Sequence, residues 1–133
     1  MEKLDEIRKS LNFYVCSNEL KNKIIDEPNN YSVANHLFGS MILATAIDSE
    51  FKETSDLSKI YRMLLLSEFS ISYPNYDFEN LKLGNQYASE IVESRDINTE
   101  NGKLVFKYKM LDLLLTKLIK EKENNISQSE LIK

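Results

Sequence analysis

Apolar residues recur along the chain at the three- and four-residue spacing of helices, in five separate stretches. Leu4, Ile7, Leu11 and Tyr14 form the first stripe, and Val33, Leu37, Met41, Ala44 and Ile47 or Asp48 the second. Leu57, Ile60, Tyr61 and Leu64 make a third, which runs on to Glu68. Leu81, Ala88, Ile91 and Val92 outline a fourth, and Leu104, Tyr108, Leu111, Leu115 and Leu118 a fifth. Each stripe covers about a third of a helix surface, the width needed to face a shared core.

The breaks between stripes carry stop and start chemistry. Pro28-Asn29-Asn30 closes the segment from Lys21 to Asp26, and Ser32 offers a capping hydroxyl to the next helix. Thr54-Ser55-Asp56 does the same ahead of Leu57, Tyr73-Pro74-Asn75 ends the third stripe, and Asn98 to Gly102 separates the last two. Three Gly and two Pro in 133 residues leave little punctuation for strands and tight turns. The expected fold is therefore all-α, a compact bundle of about five or six helices over residues 1–122. Beyond Lys120 the pattern decays into Glu-Lys-Glu-Asn-Asn and Ser-Gln-Ser, so residues 123–133 are expected to form a flexible tail.

Composition narrows the function classes. A length of 133 residues suits one domain, and 42% apolar with 29% charged residues is ordinary for a globular chain. The net charge of -4, with basic residues scattered among acidic ones, argues against a nucleic-acid groove or an anionic membrane surface. No window reaches the roughly 18 apolar residues of a membrane span. The charged start does not read as a secretory signal, and Cys16 has no internal disulfide partner, so a reducing, cytoplasmic setting is expected. Cys16 reads as a packed or idle thiol rather than a nucleophile lacking a nearby base. Many Lys, Asn and Ile residues with few Gly and Pro fit an AT-rich bacterial or mobile-element genome.

His36 is the single histidine, and it does most to limit the chemistry. Alone near a helix start, it reads first as a capping or packing residue. Its surroundings give a second reading. Tyr31-Ser32-Val33-Ala34-Asn35-His36 resembles the first metal-binding helix of the HD-domain family, in the branch of small nucleotide phosphohydrolases related to bacterial 5'-deoxynucleotidases. The run Asp56-Leu57-Ser58-Lys59 to Leu65-Leu66-Ser67-Glu68-Phe69 is similar to the helix that carries the family's His-Asp pair, and Lys109-Met110-Leu111-Asp112-Leu113-Leu114 to its last metal-binding segment. The likeness spans about residues 1–120 and implies an HD-like bundle that forms homodimers.

The departures bear on function more than the matches. Of the ligands the resemblance implies, only His36 remains; the His-Asp pair falls on Ser67 and Glu68, and the distal Asp on Lys109 or, with a register shift, on Asp112. The family's catalytic Glu and Asp fall on Ile71 and Tyr76, with Asp77 one residue further on. A transition metal needs about three protein ligands, a serine hydroxyl is a poor one, and an ammonium cannot coordinate. No metal or other cofactor is expected, and no catalytic residue. Glu68 shares the inward face of its helix, so it reads either as a surviving ligand or general base, or as a structural partner of His36, Tyr31 or Lys109.

Three functions follow. One is a catalytically inactive HD-like domain that binds another protein, a second copy of itself, or a small ligand in the old cavity. Another is a divergent metal-dependent phosphohydrolase built from His36, Glu68 and Asp112 or Asp77. The third is an unrelated helical interaction module, which the convergence or scattering of His36, Ser67 and Glu68 would test. Tyr73, Tyr76 and Phe78 cluster near Pro74, as core edge or as interface anchors.

Overall fold

The computed structural model describes residues 2–26, 30–78 and 81–132, with side chains outside 2, 5–6, 9–13 and 124–132. Five helices carry the fold: α1 (Glu2–Lys21), α2 (Val33–Phe51), α3 (Leu57–Ser72), α4 (Gly84–Ser94) and α5 (Glu100–Ile132). The all-α expectation holds, with one small addition between α1 and α2. There β1 (Ile24–Asp26) and β2 (Tyr31–Ser32) pair antiparallel, Ile24 opposite Ser32 and Asp26 opposite Tyr31. Two strands this short leave no alternation to read from sequence.

The predicted boundaries have the predicted chemistry. Ser32 Oγ accepts from the Asn35 N–H at 3.2 Å and starts α2, and Asp56 Oδ1 accepts from the Lys59 N–H at 3.0 Å and starts α3. Pro74 follows α3 at once, and the segment from 95 to 99 separates α4 from α5. Pro28 and Asn29 lie outside the described residues. The expected tail continues α5 as far as Ile132. Residues 123–132 contain neither Pro nor Gly, so nothing in them stops a helix once it is nucleated.

α3 is the central helix, and its apolar residues feed two core clusters. Leu66 and Phe69 join Leu20, Val33, Phe78 and Ile91, while Ile60, Met63 and Leu64 join Ala44, Val105 and Tyr108. Phe69 is ringed by Tyr73, Tyr76 and Phe78 at centroid distances of 4.9, 5.0 and 5.8 Å. That aromatic group after α3 is thus core rather than a free interface anchor, its rings tilted or edge-to-face. Cys16 packs beside the same cluster as a free thiol.

Three stripes depart from expectation. Leu4, Ile7 and Tyr14 of α1 are 63, 52 and 63% exposed, and α1 is held through Cys16 and Leu20 near its end. The side chain of Leu11 lies outside the described residues. On α4 the inward face is Gly84, Tyr87, Ile91 and Ser94, leaving Ala88 and Val92 in solvent. On α5 the stripe is buried at Tyr108, but Leu115 and Leu118 are exposed. Periodicity identifies an apolar face; whether the fold covers it depends on where the neighbouring helices end.

Candidate functional site

On α2, His36 and Ser40 fall between Val33 of one core cluster and Ala44 of the other, so a polar pair interrupts an otherwise apolar face. α3 adds Ser67 and Glu68, α5 adds Lys109 and Asp112, and β2 adds Tyr31. His36, Ser67, Glu68 and Asp112 are all less than one-tenth exposed. The five positions singled out in sequence converge on one buried cluster.

Its geometry is a chain of donors and acceptors. Lys109 Nζ lies 2.8 Å from Glu68 Oε1 and donates to Ser67 Oγ at 2.9 Å. The same Glu68 oxygen is 3.4 Å from His36 Nε2. On the other edge of the ring, His36 Nδ1 is 2.7 Å from Asp112 Oδ2, to which the Tyr31 hydroxyl also donates. Tyr31 Oη stands 3.2 Å from His36 Nδ1. Each ring nitrogen therefore faces a carboxylate oxygen.

The two carboxylates are displaced in opposite directions. Burial pushes the Asp112 carboxyl up to about 6. Burial pushes Glu68 upward too, but hydrogen bonds from His36 and Lys109 outweigh it and hold that carboxyl below its ordinary range. Glu68 thus has two of the structural partners considered for it, His36 and Lys109, while Tyr31 turns instead to Asp112.

This donor set does not fit the metal that the HD resemblance implies. Glu68 faces one ring nitrogen of the imidazole and Asp112 the other, so the two carboxylates do not converge on a shared ring nitrogen. The Lys109 ammonium already holds the Glu68 oxygen nearest His36 Nε2. Among the described residues, no group of three or more His, Cys, Asp or Glu is placed to hold a metal ion. Asp77 is exposed in the loop after α3, and Tyr76 packs on Phe69. Ser67 and Lys109 are spaced like a nucleophile and its base, but an ammonium bound to a carboxylate donates protons rather than accepting them.

Sequence reasoning passed over Gly39. A Cβ built there would stand 1.8 Å from Asp112 Oδ1 and 2.7 Å from its Cγ, so α5 brings Asp112 against α2 only because that side chain is missing. The signal was available: Gly39 is one of only three glycines, and it lies in mid-helix. A second polar group, the fork of Arg62 on Glu90 at 2.7 and 2.8 Å, ties α3 to α4 and was also not foreseen.

No family model matches the chain, and neither does any curated protein or solved structure.

Proposed function

We propose that the chain is a catalytically inactive HD-like domain serving as a protein-interaction or regulatory module. The observation that carries this reading is the Lys109 ammonium seated on Glu68 and Ser67, beside an imidazole bracketed by two carboxylates. Hydrolysis of the kind the HD resemblance implies needs a divalent ion to lower the pKa of water and neutralise phosphate. A hydrogen-bonded, buried cluster serves instead to fix the register of α2, α3, α5 and β2. The alternative is a divergent metal-dependent nucleotide phosphohydrolase, favoured by the same imidazole having carboxylates within reach.

One preparation separates the two. Purified protein dialysed against manganese or cobalt should retain far less than one metal per chain, and should release no phosphate from nucleoside monophosphates. Stoichiometric metal, with turnover abolished by His36→Ala, would overturn the proposal.

The partner in this reading is another protein or a second copy of the chain, in a cytoplasmic setting to which the lone Cys16 is suited. Support comes from the uncovered apolar residues Leu4, Ile7 and Tyr14 on α1 and Leu115, Leu118 and Ile119 on α5. Among the described residues no helix is long and apolar enough to cross a membrane. Homodimers should be visible by light scattering at micromolar concentration; a strictly monomeric mass would remove self-association from the proposal.

A further inference from the structure

A cavity of about 330 Å³ opens between α3, α4 and α5 against the outer side of the polar cluster. This size is at the lower end of the ~300–1,000 Å³ typical of small-molecule sites. Its lining joins two cations, Arg95 and Lys109, and the buried Ser94 to an apolar wall that includes Ile97, Phe106 and Met110. We propose that this cavity binds a small organic carboxylate, with its head on Arg95 and an apolar body along the α5 wall.

Of the two cations that line this cavity, the charge pattern singles out Arg95. Lys59 pairs with Glu93, Arg62 with Glu90, Lys107 with Glu53 and Lys109 with Glu68. Arg95 instead donates to the neutral Ser70 hydroxyl at 2.7 Å, and no carboxylate among the described residues forms an ion pair with it. Its guanidinium is therefore the uncompensated charge of the cavity, with donors left over in the fork that matches a carboxylate. The Lys109 charge is already met by Glu68, so the cavity has one positive charge to offer. That suits a monoanionic head better than a phosphate dianion.

Three other cavities differ in these respects: in one of about 350 Å³ lined by Leu37, Leu65 and Tyr87, the single cation, Arg62, is already paired with Glu90. One of about 360 Å³ near Tyr31 sets Lys117 and Lys120 against Asp26 and Glu121, and has no charge surplus. The groove of about 180 Å³ between α1, α2 and α3 is apolar, with Lys21 and Glu68 both in its lining. In the proposed site, the wall residues Ile97, Phe106 and Met110 are about half exposed, apolar area that a ligand body would cover.

The inference goes beyond the proposed function and can fail independently of it. Octanoate titrated calorimetrically into the full chain at low salt should bind saturably at one site per chain. Arg95→Gln should weaken it at least tenfold with the helical circular dichroism unchanged. Phe106→Asp, an exposed change that sets a like charge in the apolar wall, should abolish binding and serves as the test if the Arg95 variant does not fold. Octan-1-ol should bind at least tenfold more weakly than octanoate, and octyl phosphate no more tightly. Octanoate that does not saturate by millimolar concentration, or that binds both variants like the wild type, would overturn the site. Octyl phosphate binding tenfold more tightly would overturn the carboxylate class. None of these outcomes bears on metal content or phosphate release, which test the inactive-domain reading.

Discussion

Glu68→Gln is expected to lower the stability of the folded chain at pH 7 by about 3 kcal/mol, roughly 10 °C in melting temperature. The reason lies in what it abandons. Glu68 is buried and accepts from Lys109 at 2.8 Å while facing His36 Nε2 at 3.4 Å, so its removal leaves an ammonium with no carboxylate in a largely desolvated site. Adding Lys109→Met should recover most of the loss, because an apolar chain of similar length leaves no charge behind. The pH dependence has a defined sign. Glu68 ionises below its ordinary value of 4.5 in the folded chain, so its contribution is present above about pH 4.5 and fades as pH falls through the lower folded value. The deficit of Glu68→Gln should therefore be full at pH 7 and shrink in acid. Urea unfolding of the four proteins of the cycle at pH 7 and in acid measures this. A single variant within about 1 kcal/mol of wild type, or a double variant no better than the single, would show that the ion pair does not hold the cluster.

What could be read from sequence divides along a physical line. Helix starts and stops were legible because they are local: Ser32, Asp56 and Pro74 act within three residues of themselves. The inward direction of His36 and Glu68 was legible because they share the period of apolar neighbours that proved buried. The partners within the cluster were only half legible. Tyr31 and Asp112 are 81 residues apart, and their bond depends on how closely α5 approaches α2, which no local pattern encodes. The same holds for the first and last stripes. Leu4 and Leu118 have the spacing of core residues, but they stand exposed among the described residues. The spacing identifies the stripe as apolar but not as internal, because coverage is a property of the whole packing arrangement.

Gly39→Ala tests that packing directly, and its expected sign is opposite to the usual one. In the interior of a helix, replacing Gly by Ala ordinarily gains about 1 kcal/mol, since alanine loses less backbone freedom on folding. Gly39 lies inside α2, yet the new methyl would stand 1.8 Å from Asp112 Oδ1, far inside contact distance. Asp112 cannot simply swing away, because its other oxygen is held by the Tyr31 hydroxyl and by His36 Nδ1 at 2.7 Å. Either α5 moves out from α2 or that pair of bonds is lost, and overpacking of this kind costs about 1–3 kcal/mol. The variant should thus be destabilised by about 2 kcal/mol rather than stabilised. His36 is the only histidine, so a single imidazole resonance reports whether Asp112 has left it, and that signal should shift in the variant. In an Asp112→Ala background the obstacle is gone, and Gly39→Ala should return to neutral or favourable. A destabilisation that persists there would mean the methyl clashes with something other than Asp112, and the close approach of α5 to α2 would not be what Gly39 provides.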